Sequence, residues 1–571
     1  MRLPAALVFA LLVPVPAFAQ ATPPHATCNG ELITDIEIHS YLAGSSFAAD
    51  AWTAATGFAG MHTTPTRPAV IMAYMRLAVG ASCSELDRSE SERLLRAQHF
   101  IASATVRPVP DGPGRVRIVV ETVDETPVLI GGSFRGTSPA SLLLGTENLN
   151  GRGITLEGSV QRGFGYRTGF GGDFIKYGAF GHPLTLAVGG EIDPQGDAIR
   201  FEFAKPFLTE QQSNGFHLGA NELNNYFDLR RPAGNDVFLN VRRSSYDVGL
   251  GSRIARLGNS GAIGVLGALI LGEDVHTASQ AVFITDSGFV AAPGLPEVDN
   301  RYSAFSVVRA GIFGGVRALQ FTPVRGFDAL TAEQDLGRGV QFGVFVGPSI
   351  WEAQHSGDYF LSGALYSGIG NPASFLEMRI AAEGRADRQN QRWDGVVTYG
   401  KLAWYVKPSD AETRLATLEV SGIQHLELPV QLSFADHEGG LLGFPNALTV
   451  GGQRAVLRLE ERQVMPLFTR KADWAVALFA NVGKIWAGDV PFGQTSPVRA
   501  ALGISLLSAY PAGGKRTYRV DLAIPINPER SKFEIRFSSS DETQSIWRQP
   551  NDLTVAHSAA VLQNLGSWTP R

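Results

Sequence analysis

From Pro127 onward the chain settles into short runs in which apolar and polar residues alternate, broken by clusters of Gly, Pro, Asn and Asp. This texture persists for roughly 400 residues without a convincing helix. Successive side chains of a strand stand on opposite faces, so each run reads as a half-buried strand. Tyr518, Val520, Leu522 and Ile524 alternate with Arg519, Asp521 and Ala523, and Ala455, Leu457 and Leu459 alternate with Val456, Arg458 and Glu460. The alternation alone suits a soluble sandwich with the apolar face inward as well as a barrel with that face outward. Size separates them: roughly 410 residues exceed one sandwich, whereas a closed membrane barrel uses about 10 residues per crossing around a polar interior. Marking the segments gives roughly sixteen to nineteen candidates, and because even counts are the rule the expectation is an all-β transmembrane barrel of sixteen antiparallel strands.

Composition agrees. Glycine supplies 64 of the 571 residues, well above the roughly 7% of an average protein, and it relieves crowding in strands and turns. The formal net charge of −5 gives no bulk attraction for nucleic acid.

The compartment is read from the amino terminus. Met1-Arg2, the apolar run Leu3 to Val15 and Ala17-Phe18-Ala19 form the three parts of a secretory signal peptide over residues 1–19, with cleavage before Gln20. The alternative, a membrane anchor, needs about 20 apolar residues, more than this run supplies. Cys28 and Cys83, the two cysteines, then meet an oxidising compartment. One disulfide is the natural pairing, and two buried thiols are the alternative.

Residues 20–125 differ from the rest. Leu32 to Ile38 reads as a strand, Ala69 to Ala78 and a segment opening at Asp87-Arg88-Ser89-Glu90 read as helices, and Ala104 to Val109 and Val116 to Glu121 flank a Pro-Asp-Gly-Pro-Gly turn as a hairpin. This is one small α+β unit.

Leu94 to Val109 (LLRAQHFIASATVRPV) and Arg115 to Glu125 (RVRIVVETVDE) resemble the helix, strand and hairpin that close a POTRA domain. POTRA domains are the periplasmic polypeptide-binding modules of the outer-membrane assembly and translocation superfamily of BamA, TamA and the two-partner secretion transporters. The carboxy-terminal third resembles the same superfamily. Leu442-Gly443-Phe444 lies where the family has its Val-Arg-Gly-Phe loop, the strand with Glu460 and Arg462 matches the Glu-x-Arg strand after it, and five candidate strands follow. Phe533, Ile535 and Phe537 resemble the aromatic-ended terminal strand by which such barrels are recognised.

Two departures fall on positions that touch in the family. The loop arginine is Leu442 here, and the aspartate that holds it in a Phe-x-Asp-x-Gly strand is Asn481, within Phe479-Ala480-Asn481-Val482-Gly483. Losing one partner of a buried ion pair costs roughly 3–5 kcal/mol, whereas losing both is close to neutral, so the loop is expected in the lumen through Phe444 without an ionic latch. A literal Val324-Arg325-Gly326-Phe327 followed by Asp328 has far more than five strands after it and reads as an ordinary loop. Residues 538–571, rich in Ser, Gln, Asn and Pro, read as a periplasmic extension, with a plug or docking segment as the sharper reading.

No local motif carries catalysis. His437-Glu438 lacks the second histidine of a zinc-protease helix, Gly513-Gly514-Lys515 lacks the rest of a phosphate loop, and Gly258-Asn259-Ser260-Gly261 is not a nucleophile elbow. No metal, cofactor or catalytic residue is expected. The resemblance implies a Gram-negative outer-membrane protein, with its POTRA domain in the periplasm at 20–125, its barrel at 126–537 and lipid around it. It inserts or translocates an extended client polypeptide taken from the POTRA strand edge, with periplasmic accessory proteins as further partners. The alternative is a passive channel or structural surface protein on the same scaffold.

Overall fold

The computed structural model describes residues 28–42, 64–135, 138–162, 167–193, 195–209, 211–257, 262–353, 357–388, 392–467, 471–529 and 532–557. The expected signal peptide and Gly258 to Gly261 lie outside the described residues.

The small unit contains β1 (Asn29–Tyr41), α1 (Pro68–Met72), β2 (Ser82–Ser84), α2 (Glu85–Arg96), β3 (Ile101–Pro110) and β4 (Arg115–Asp124). Its sheet runs β2-β1-β4-β3, with β1 parallel to β4 and the other pairs antiparallel. Helix α2 starts two residues before the expected Asp87, because the Ser84 hydroxyl accepts the Asp87 N–H and so caps the chain there. Helix α1 is a single turn rather than the ten residues expected, although Tyr74 and Leu77 beyond it still enter the core with Val70, Ile71, Leu94, Leu95 and Phe100. Cys28 and Cys83 are bonded, with Cα atoms 5.1 Å apart, and join the same core.

The rest is a closed barrel. Among the described residues its ring contains twenty-two strands, of which Val282–Thr285 and Gly288–Ala291 form a short hairpin beside the wall, leaving twenty staves, and the last, Glu534–Asp541, lies beside the first, Val128–Arg135. Sixteen was therefore too few. The shortfall has a local cause: Thr168–Tyr177, Thr185–Ile192 and Gly196–Lys205 are short and joined by brief turns, and runs such as Thr168-Gly169-Phe170-Gly171-Gly172 interrupt the alternation that would separate neighbours. The five strands expected after the Phe444 loop are Gln453–Val464, Asp473–Trp486, Arg499–Ala509, Arg516–Pro525 and Glu534–Asp541.

The apolar face is outside. On Arg516–Pro525, Val520, Leu522 and Ile524 are exposed while Asp521 and Ala523 are buried, and Leu457, Leu459, Leu478, Leu502, Ile504 and Phe537 likewise face outward. A wall that is apolar outside, polar inside and free of sheet edges is the form that strands take in a bilayer.

The small unit seals one end of this wall, here called the near end. Tyr177, at the end of a barrel strand, and Leu208, in the turn after another, complete its apolar core. Lys515 Nζ donates to the Gln98 carbonyl at 2.8 Å and also to that of Arg96, whose guanidinium meets Asp335 at 2.7 Å. Thr66 links the two parts directly, since its N–H and hydroxyl donate to Asp124 while Asn148, in a barrel turn, donates to its hydroxyl at 2.7 Å.

Candidate functional site

The wall turns its charged side chains inward. Glu460 lies between Arg462 at 2.8 Å and Arg519 at 2.6 Å, Arg519 meets Asp521 at 2.6 Å, and Ser505 donates to Asp521 at 2.6 Å. Arg243 meets Glu273 at 2.9 Å, and Arg309 Nε donates to Asp358 at 2.9 Å. Two segments of the chain fill the space that these groups line.

The first is the connection between Glu412–Gln424 and Gln453–Val464, at the far end of the barrel. It folds inward as a chain of turns. Asp436 Oδ1 accepts the N–H groups of Glu438 and Gly439, and the Phe434 carbonyl accepts that of Leu441. Phe434, Leu441 and Phe444 pack with Val456, Ile485 and Ala501 of the wall. Gly440 has no room for a side chain, because a Cβ there would lie 2.1 Å from the Asp436 carbonyl oxygen. Gly443 has φ +96°, and its N–H donates to Glu534 Oε2 at 2.6 Å.

Four arginines hold this loop by its main chain. Arg458 donates to the Glu438 and Gly440 carbonyls at 2.9 and 2.7 Å, Arg454 to Ser433 at 2.5 Å, Arg536 to His437 at 3.0 Å and Arg230 to Ala447 at 2.9 Å. In the resembled family the loop carries the cation. Here the barrel carries it, and the loop contributes carbonyls.

The motif residues fall into separate places. Phe444 is buried in the loop cluster, and Leu442 is half-buried beside it. Asn481 is buried opposite Arg458 on the paired strand, with its amide nitrogen lacking a partner among the described residues. Phe479 lies beneath the Arg519 guanidinium at 5.8 Å, and Gly483 forms the floor for Phe434, whose Cε1 stands 2.7 Å from where a Cβ would be. Glu460 belongs to the network above, and Arg462 donates to the Asp328 carbonyl at 2.5 Å rather than to the loop. Ile535 and Phe537 are exposed on the outer face of the last strand, and Phe533, exposed too, lies just before it.

The literal motif at Val324 is not an ordinary loop. Arg325 is exposed beside Glu333, as a chance match implies, yet Phe327, Asp328, Ala329 and Leu330 are buried at the near end. Asp328 Oδ1 accepts from Tyr405 at 2.6 Å and from Ser545 at 2.8 Å. Nothing in the local sequence marks Asp328 as a hub, because its donors arrive from distant parts of the chain.

Ser545 belongs to the second inward segment. After Asp541 the chain does not continue outward as the expected periplasmic extension. Where it is described, it re-enters the barrel as a 3₁₀ turn (Glu542–Trp547) and a short helix, α3 (Asn551–Ala556), because the wall supplies partners that its own composition does not advertise. Trp547 stacks on Tyr366 with centroids 5.0 Å apart, and Leu553 is buried among Val397, Tyr399, Ile423 and Leu432. Asp552 takes both forks of Arg454, at 2.6 and 3.0 Å, and His557 meets Glu383 at 2.9 Å. Beside Val555 and His557 a cavity of about 510 Å³ remains open, reaching His217, Asp247, Leu271 and Phe360.

No family model matches the sequence, and no curated protein matches it. Solved structures are similar to it. BamA from Haemophilus ducreyi lacking POTRA domains 1–3 is 14% identical, with 89% of this chain and 84% of that chain covered and a TM-score of 0.38. CdiB from Escherichia coli is 9% identical over 89% and 76% of the two chains, with a TM-score of 0.45. The siderophore receptor PirA from Pseudomonas aeruginosa is 10% identical over 76% and 79%, with a TM-score of 0.34.

Proposed function

We propose that this protein inserts or translocates polypeptides at a Gram-negative outer membrane, with the small unit acting as a single POTRA domain on the periplasmic side. The observation that carries the reading is the lumen itself, where arginine, lysine and tyrosine side chains of the wall grip irregular polypeptide by its carbonyl groups. Such contacts read a main chain without demanding a sequence, which is what a handler of varied clients needs. The sheet of the small unit supports the same reading. β1 outlasts its three-residue neighbour β2, so Asp35 to Tyr41 present an edge without a strand partner among the described residues. The opposite edge, β3, is blunted: Glu92 and Arg88 take the Val106 N–H and carbonyl, and Pro108 and Pro110 have no N–H to offer. A client strand adds along β1 and passes to the seam or lumen, with no cofactor required.

A passive outer-membrane channel is the competing reading, and the two segments that occupy the lumen weigh against it. Depletion followed by quantitative outer-membrane proteomics separates the two. A specific fall in one or more barrel or surface proteins is expected. An unchanged proteome, with this protein resident in the outer membrane, would favour the channel.

A further inference from the structure

We propose that the lumen contains a binding track for an extended polypeptide read through its main chain, and that residues 542–557 are its resident occupant, displaced when a client enters. This rests on the polypeptide-handling reading and adds a place and a competitor to it. Five tail carbonyls accept from four wall side chains on three strands. Lys401 Nζ reaches Ser545 at 2.5 Å, Arg379 reaches Trp547 at 2.5 Å, Tyr399 reaches Arg548 at 3.0 Å, and Arg243 reaches Val555 and His557 at 3.1 and 2.6 Å. Tyr405, Lys401, Tyr399 and Val397 share the inward face of one strand, Trp393–Ser409, and meet the tail in ascending order from Ser545 to Leu553.

The seat is therefore a ladder running along the barrel from the Asp328 turn toward the Phe434 loop. Side chains anchor the tail as well: Ser545 donates to Asp328, Asp552 takes two bonds from Arg454, His557 meets Glu383, and Ile546, Trp547, Leu553 and Ala556 pack against the wall. The carbonyl contacts are the part of this seat that another extended chain can take over whatever its side chains, by offering carbonyls at similar spacing. The cavity of about 510 Å³ flanking Val555 and His557 gives such a chain room to start.

The test keeps the chain whole through folding. A protease site is inserted between Asp541 and Glu542, the protein is folded in detergent, and a fluorescent peptide of residues 542–557 is titrated before and after cleavage. Cleavage and washing are expected to raise peptide affinity at least tenfold by vacating the seat. Arg379→Met with Lys401→Met is expected to lower it at least tenfold in the cleaved protein. An unrelated unstructured peptide of equal length is expected to compete. Equal affinity before and after cleavage, or no binding after it, overturns the track. Failure of the unrelated peptide to compete overturns main-chain reading, while the proteome measurement still decides polypeptide handling on its own. A cleaved protein that loses its resistance to room-temperature SDS shows that the tail is a structural strut, and this too overturns the proposal.

Discussion

Inside the barrel Arg454 of the wall donates two charge-assisted hydrogen bonds to the Asp552 carboxylate of the tail, and it also donates to the Ser433 carbonyl of the loop. One guanidinium thus fastens both segments that fill the lumen.

Asp552→Ala leaves that guanidinium buried without its carboxylate, a change that costs roughly 3–5 kcal/mol in buried pairs. Faster proteolysis of the tail is expected, with the barrel intact. Adding Arg454→Met is expected to recover part of the loss, read as favourable coupling in a double-mutant cycle on cleavage rates. A tail as protected as the parent's after Asp552→Ala would contradict the fastening.

Gly483→Ala places a methyl group 2.7 Å from Phe434 Cε1. Overpacking of this kind costs roughly 1–3 kcal/mol. The thermal unfolding midpoint should fall, and Phe434→Leu in the same chain should restore part of it. If the alanine variant melts with the parent, Phe434 does not rest on that floor.

Burial pushes the Asp124 carboxyl up to about 7, against two hydrogen bonds from Thr66 that pull the other way. The same group in an unfolded chain titrates near 3.8. Between these values the folded protein keeps a proton that the unfolded one releases, so the contribution is complete below pH about 4, is lost as pH rises through about 7 and is level above that. Hydrogen exchange of β1 and β4 should be slower at pH 5 than at pH 8 after correction for intrinsic rates. Asp124→Asn should flatten the difference, and an unaltered difference would assign the effect to another group.

The Cys28–Cys83 bond spans 55 residues. In the chain-entropy model such a loop contributes about 4 kcal/mol. Cys28→Ser with Cys83→Ser should therefore speed exchange throughout the small unit and leave the wall strands alone. Exchange in the double variant equal to the parent's would show that barrel contacts alone keep the unit folded.

What the sequence makes legible follows the range of the forces involved. The β3–β4 hairpin, the capped helix and the five terminal strands are set by local spacing, and Val520, Leu522 and Ile524 declare an apolar face without saying which side it takes. The loop around Phe444 could be placed because its glycines and aromatic are neighbours in the chain. Asp328, Arg454 and Lys401 could not be singled out. Each is one polar residue in an alternating or turn segment, and its meaning comes largely from partners in the tail 98 to 217 positions away. For the tail, composition suggests an extension with a plug or docking segment as the alternative, and it does not decide between them because the tail's order is supplied by the wall's donors rather than by its own Ser- and Gln-rich composition.

The tail begins directly after the strand that completes the ring, and it touches strands as early as Val237–Leu257 and as late as Gln453–Val464. Its seat exists only once those strands stand together. Because a ribosome delivers these residues after every strand they touch, the lumen is furnished once those strands have come together, and a filled seat is a record that the wall around it was finished.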